Sequence, residues 1–475
     1  MEPNIRIRGQ NQKHHYLKHA TLILLILGLL TGCNFPQPSS TLPTLSHQQQ
    51  TEISGILNPS GLETSEPIPT ETYSTPVPTI IITPEETVID GYINYQTQQG
   101  DTLAVLAKRF NVDEDTIISS TQTTSENFLP AGTLLHIPSN LEGYLPMENP
   151  IFPDSEVLYG PSVGDFDTIA YIEAAGGFLA SYEEEVKEKI LTGPEIVHWV
   201  ALETSTNPRL LLAFLEYQSG WVFGSPPGAE DDPYPIGFGA TLDTGLYKEL
   251  MITARVLAQG FYGWRDGSRL WLSFYGGETV RLAPRLNAGS TALMALFASI
   301  YPPEVWETHL YDEDSFLNFY LEMFGDYLSR AAEVEPYLLH TTQQPELLLP
   351  FAPGEEWSFT GGPHITWQTG TPKGAVDFAP ISGEGPCMTS AWWATAAAPG
   401  LIVRSERNVV AIDLDGDGDE GTGWVLIYMH IAEEDRPFVG LQVERDNPVG
   451  HPSCEGGNST GTHVHFARKF NGEWV

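Results

Sequence analysis

Apolar and polar positions along the chain change character several times. Residues 1–20 carry Arg6, Arg8, Lys13 and Lys18, and the predominantly apolar run Thr21 to Leu30 follows. From 34 to 91 Pro, Ser, Thr and Glu dominate without hydrophobic periodicity, so no element is predicted there. Between Tyr95 and Ser139 the pattern predicts a short strand and a turn at Gln99-Gly100-Asp101. A helix capped near Asp101 or Thr102, a second helix from about Asp113 and a closing strand complete the unit. Residues 155–340 are mostly helical by spacing, with starts at Gly193-Pro194-Glu195 and Asn207-Pro208. Further helical runs lie around 245–260, 290–300 and 314–332. Beyond Phe351 short runs broken by Gly and Pro predict strands at Trp357–Thr360, Ala375–Ala379, Leu401–Ser405, Val409–Leu414, Trp424–Ile431 and Val464–Arg468, an antiparallel β domain.

Length and charge narrow this picture. A chain of 475 residues with 41% apolar and 11% aromatic residues builds several cored domains. With 23 basic against 61 acidic residues the formal charge is −38, which repels polyphosphates and excludes nucleic acid as a partner.

The apolar run near the start is too short to span a bilayer comfortably. It ends in Leu30-Thr31-Gly32-Cys33, which resembles a bacterial lipobox. That resemblance makes residues 1–33 a lipoprotein signal peptide with Cys33 as the lipidation site. It implies export and anchoring at the outer face of a cell-envelope membrane, with residues 34–91 as a disordered tether.

The unit at 92–139 contains Gly100-Asp101-Thr102-Leu103 and closes with Leu129-Pro130-Ala131-Gly132-Thr133. It resembles a LysM module, which implies a βααβ fold and binding of glycans containing N-acetylglucosamine. By that resemblance the glycan contacts are Gly100, Asp101, Thr102, Leu129, Pro130 and Ala131.

In the helical region 150–345, Tyr217-Gln218-Ser219-Gly220-Trp221 and Leu286-Asn287-Ala288-Gly289 resemble fragments of lysozyme-like lytic transglycosylases. Glycosidic cleavage in that family needs a glutamic acid directly before the serine, and here that position is Gln218, an amide that transfers no proton. Glu216 lies two residues back, about 200° around a helix, and faces away from it. The expectation is a glycan-binding or spacer domain without glycosidase activity. Its aromatics Tyr247, Tyr262, Trp264, Trp271 and Tyr275 are expected chiefly in the core.

Chemistry concentrates at 350–475. His463 and His465 are spaced i, i+2, so in a strand they share a face. Asp377 stands in the apolar strand Ala375–Ala379, where an uncompensated carboxylate is costly and a metal ion offsets the cost. His364 ends Gly361-Gly362-Pro363-His364, and His430 sits in Tyr428-Met429-His430-Ile431. These segments resemble the lysostaphin-like zinc endopeptidases of peptidoglycan, peptidase family M23. The common form of that family has a histidine four residues before the aspartate, where this chain has Lys373. The β-lytic branch instead draws its histidine from a Gly-Pro-His segment further upstream, which His364 matches. The resemblance implies one Zn2+ held by His364, Asp377 and His465. His430 and His463 then act as general base or oxyanion stabilisers. A last strand beyond Val475 is expected from the family pattern.

Cys387 and Cys454 lie in loops of the same domain and are candidates for a disulfide in an oxidising compartment. The run Asp413 to Asp419 imitates the start of a calcium loop, but Trp424 stands where the bidentate glutamate belongs. A solvated Asp-Gly hairpin turn fits it better than a Ca2+ site. The whole sequence describes a wall hydrolase held on glycan by its LysM module and cutting peptide stems or cross-links. The competing reading is a non-hydrolytic peptidoglycan-binding scaffold or an activator of other hydrolases.

Overall fold

A computed structural model describes residues 90–119, 127–139, 149–239, 244–381, 383 and 385–475. The lipidation site, the signal segment and all of the tether up to residue 89 lie outside the described residues. No described helix is long and apolar enough to cross a membrane.

The described residues form one compact unit with three cores. At its N-terminal end β1 (Tyr92–Gln96), α1 (Leu103–Phe110), β2 (Ile118–Ser119) and β3 (Leu134–Pro138) enclose Tyr95, Leu106, Phe110, Leu135 and Ile137. Thr102 caps α1 by accepting from the Val105 N–H. The expected second helix is only a 3-10 turn at Glu114–Thr116 among the described residues. Asp113 offers it no side-chain cap, and the chain passes instead into β2, which pairs with β3.

The middle region contains α2 (Thr168–Ala175), α3 (Phe178–Ser181), the hairpin β4 (Glu183–Val186) and β5 (Lys189–Thr192), and α4 (Gly193–Thr204). It continues with α5 (Pro208–Ser219), α6 (Leu246–Arg265), the hairpin β6 (Trp271–Ser273) and β7 (Thr279–Arg281), and α7 (Ala288–Ala298). It ends with α8 (Pro303–Tyr311), α9 (Phe316–Phe324) and α10 (Tyr327–Val334). Local chemistry sets the starts: Thr192 and Glu195 form a reciprocal capping box with Pro194 in the first turn, and Asn207 caps α5 ahead of Pro208. Leu210 to Leu215 are buried on every side, so α5 is the central helix of this core.

The C-terminal strands are β8 (Trp357–His364), β9 (Ala375–Pro380), β10 (Ala394–Thr395), β11 (Gly400–Glu406), β12 (Val409–Asp413) and β13 (Trp424–Met429). β14 (Gln442–Val443), β15 (Pro448–Gly450), β16 (Val464–Phe470) and β17 (Glu473–Trp474) follow. The main antiparallel sheet runs β14-β11-β12-β13-β16-β9-β8, with β17 paired to β16. Its two faces are buried separately. Val410, Ile412, Leu426, Tyr428, Val464 and Phe466 pack on one side. Their neighbours Val409, Ala411, Val425, Ile427 and Ala467 belong to the core built by the helices. Burial on both faces explains why these strands are nearly continuous apolar runs. It also makes the helical region a layer of the sheet domain, not a separate bead.

Candidate metal centre and catalytic cleft

Strand register brings the candidate ligands together. His465 on β16 lies directly opposite Asp377 on β9, and Gly361 on β8 lies opposite the same aspartate. Two irregularities in β8, between Phe359 and Gly361 and between Gly361 and His364, turn its end so that His364 also reaches the aspartate. Gly361 is small for a reason: a Cβ there would stand 2.6 Å from Asp377 Oδ2.

The donor atoms form a tight triangle. His364 Nε2 is 3.1 Å from His465 Nδ1, and each is 3.3 Å from Asp377 Oδ1. His465 Nε2 is 2.8 Å from the Thr366 carbonyl, which only accepts, so Nε2 carries the proton and Nδ1 offers a lone pair. Asp377 Oδ1 is buried without a hydrogen-bond partner. Three potential ligand atoms thus converge, and with His364 in its Nδ1–H tautomer all three offer lone pairs. Tetrahedral ligands at about 2.0–2.1 Å from a zinc ion lie about 3.3 Å apart, so these residues fit that ion. Burial alone would raise the Asp377 pKa, but the His465 contact and the neighbouring imidazoles His463 and His364 hold it below the usual carboxylate value.

Two further histidines flank the triangle. His430, in a left-handed backbone conformation after β13, pairs its Nδ1 with the Glu455 carbonyl at 3.0 Å. His463 pairs its Nδ1 with the Gly461 carbonyl at 2.8 Å, and its Nε2 lies 3.8 Å from Asp377 Oδ2. Both rings therefore present a bare Nε2, with ring centres 4.5 Å apart. Burial lowers the His430 pKa, favouring the neutral ring that a general base requires.

All five residues line one cleft of about 810 Å³. Lys373 is exposed and does not line it. The sequence pattern did not reveal that Lys248, Met251, Ile252 and Arg255 of α6 line the same cleft. Nor did it reveal that the Thr366, Glu455 and Gly461 carbonyls fix the imidazoles. The i, i+3, i+4, i+7 spacing on α6 was legible as a helix face, but nothing in it named the surface it meets.

The remaining candidates take varied positions. Asp101 is buried and accepts from Arg109, Tyr95 and the Gln98 N–H, and Thr102 is a helix cap. Leu129 is in the small core, and Pro130 gives its carbonyl to Thr97 and Thr133. Gly100 is closed off by the Arg265 guanidinium, while Ala131 is exposed. Tyr247, Tyr262 and Trp264 are core residues as expected, but Trp271 and Tyr275 are exposed around the β6–β7 hairpin. Gln218 accepts from Tyr301 at 2.9 Å, and Glu216 accepts from the Val222 and Phe223 N–H groups. Gln218 and Asn287 line different cavities. Cys387 and Cys454 are joined in a disulfide with Cα atoms 5.0 Å apart. Asp413, Asp415 and Asp417 cluster, but Asp413 already accepts from the N–H groups of Asp415, Gly416 and Gly418 and so serves the turn.

Residues 95–138 match the family model described as the LysM domain, and residues 150–336 match the one described as LasA, N-terminal domain. Protease LasA of Pseudomonas aeruginosa is 24% identical over 383 residues, which cover 75% of this chain and 82% of that protein. Beta-lytic metalloendopeptidase of Achromobacter lyticus is 28% identical over 136 residues, 27% of this chain and 34% of that protein. Among solved structures, the deep-sea M23 metalloprotease pseudoalterin is 27% identical over 28% of this chain and 75% of that one, with a TM-score of 0.23. The chain is a multidomain protein with a LysM domain and a LasA N-terminal domain, and it is similar to metallopeptidases of the M23 type.

Proposed function

We propose that this chain is a zinc-dependent endopeptidase that cuts peptide stems or cross-links of peptidoglycan. It is exported, anchored through a lipid on Cys33, and held on wall glycan by residues 92–139. The observation that carries this reading is the convergence of His364 Nε2, Asp377 Oδ1 and His465 Nδ1 at 3.1–3.3 Å, beside two imidazoles with bare Nε2 atoms. The similarity to proteins named a protease and a metalloendopeptidase supports peptidase chemistry, and the LysM match supports a wall substrate.

His364, Asp377 and His465 would hold the ion, which when bound supplies Lewis-acid polarisation of the scissile carbonyl and a more acidic water. The chain's own residues do the rest. The bare Nε2 of His430 or His463 takes up the proton of the attacking water, and a ring so protonated can then donate from Nε2 to the developing oxyanion. The Glu455 and Gly461 carbonyls hold the Nδ1 proton of each ring throughout.

The test uses the full chain in detergent, measuring bound zinc and the new amino termini released from purified peptidoglycan. One zinc per chain with cleavage is expected, and both should be lost in His364→Ala. Zinc binding without any cleavage overturns the proposal.

A further inference from the structure

Part of the lining of the cleft that holds the metal-binding triangle belongs to the middle region, and strand periodicity explains why the site meets that region. Asp377 alternates with Val376, and His465 with Val464 and Phe466, so both site residues share the sheet face of Ala375 and Ala467. That face packs on the helical layer. Lys248, Met251, Ile252 and Arg255 stand at i, i+3, i+4 and i+7, a single stripe of α6, and all four line the cleft. Two apolar side chains are thus bracketed by two cations about 10 Å apart along the helix.

The stripe lies beside a loop of the site. Gly370 lies in the loop that leaves His364 and carries the Thr366 carbonyl holding His465. A Cβ on Gly370 would stand 2.9 Å from the Gln259 nitrogen and 3.2 Å from the Arg255 carbonyl oxygen. Backbone therefore meets backbone at this seam, which packs α6 directly on the loop that follows His364.

Charge gives the stripe a meaning. In a chain of net charge −38 the cleft lining carries two cations among the described residues, and the one carboxylate among them is the candidate ligand Asp377. Lys248 has a contact of its own and contributes charge. Arg209, Arg265, Arg281, Arg285, Arg330 and Arg407 each meet a carbonyl or carboxylate. Arg255, like Arg436 and Arg468, is a half-buried arginine with no hydrogen bond or ion pair among the described residues, and of these three it is the one that lines the cleft. A guanidinium held this way in a cleft is a ready bidentate partner for a carboxylate.

Resting on the endopeptidase reading above, we infer that Arg255, supported by Lys248, is a specificity residue that binds a carboxylate of the peptide substrate on the middle-region wall of the cleft. The carboxylate is either the peptide's C-terminus or an acidic side chain.

The experiment compares short peptides that differ only in whether the C-terminal or the side-chain carboxylate is replaced by a carboxamide. Binding is read by fluorescence anisotropy and cleavage by kcat/KM, both on the zinc-loaded full chain. Wild type should prefer one carboxylate peptide over its amide by about 10- to 100-fold, expressed mainly in KM and Kd. In Arg255→Gln that ratio should fall to near one, with zinc content retained. Arg255→Lys should restore part of the ratio, and Lys248→Gln should reduce it less than Arg255→Gln does. An equal affinity of wild type for acid and amide, or an unchanged ratio in Arg255→Gln, overturns the inference. So does an equal acceleration of both peptides in Arg255→Gln, which would make α6 merely a cover. If no peptide is cleaved the endopeptidase reading fails, while the anisotropy ratio still decides the role of Arg255.

Discussion

Asp377 and His465 are direct cross-strand partners on β9 and β16, and Gly361 faces the same aspartate from β8. Only a residue without a side chain leaves room for the Asp377 carboxylate to turn toward the two imidazoles. Gly361→Ala would place a methyl 2.6 Å from Asp377 Oδ2 and push the carboxylate off the triangle. Zinc affinity should drop about 10- to 100-fold, the range for losing a supporting contact, while the far-ultraviolet circular dichroism stays that of wild type. Competitive chelator titration measures this. Unchanged affinity would mean that the strands shift to absorb the methyl.

His430 and His463 should behave differently from the ligands. Either alanine variant keeps its zinc, because neither ring belongs to the triangle, and loses about 10²- to 10⁴-fold in kcat. If the two rings act as one unit on the same proton, the double variant is little worse than the weaker single variant. Additive losses in single-turnover assays would instead assign them separate steps.

The helices and strands were largely legible because their signals are local. Thr192 with Glu195, and Asn207 before Pro208, marked two helix starts that the structure keeps. Alternation placed His463 and His465 on one face, and the apolar neighbours of Asp377 marked it as a carboxylate in need of compensation. What alternation cannot carry is register: that His465 faces Asp377, and that β8 is irregular enough to swing His364 inward, depends on long-range pairing. In the LysM-like unit the side chains of Asp101 and Leu129, which the resemblance names as glycan contacts, pack inward on Arg109, Tyr95 and the small core, placements that no local pattern announces. The run after Asp113 looked helical, yet the pairing of β2 with β3 takes over after a single turn.

Arg265 joins three parts of the chain. It donates to the Gln99 carbonyl in the LysM-like unit and pairs with Asp154 at 3.0 Å in the middle region and with Glu473 on β17 at 3.2 Å. Arg265→Met removes the cation and leaves two buried carboxylates unpaired, a loss of about 3–5 kcal/mol. Hydrogen exchange should quicken around Gln99 and around Glu473 together, while α7 keeps its protection. Loss confined to one of those places would show that the arginine does not couple them.

Glu335 predicts a pH dependence. Burial, and next the nearby charge of Asp154, raise its pKa to about 7, against the Ser155 N–H that it accepts. The folded chain keeps this proton up to about pH 7, whereas the unfolded chain releases it near 4.5. The folded state therefore binds the extra proton between those values, and the group's contribution to stability falls as pH rises through that window, then stays low. Glu335→Gln stays neutral throughout and keeps an oxygen to accept from Ser155. Its melting temperature should match wild type near pH 4 and exceed it at pH 8, and the difference should grow between those values. A difference independent of pH would mean that Glu335 titrates in the folded chain as it does in the unfolded one.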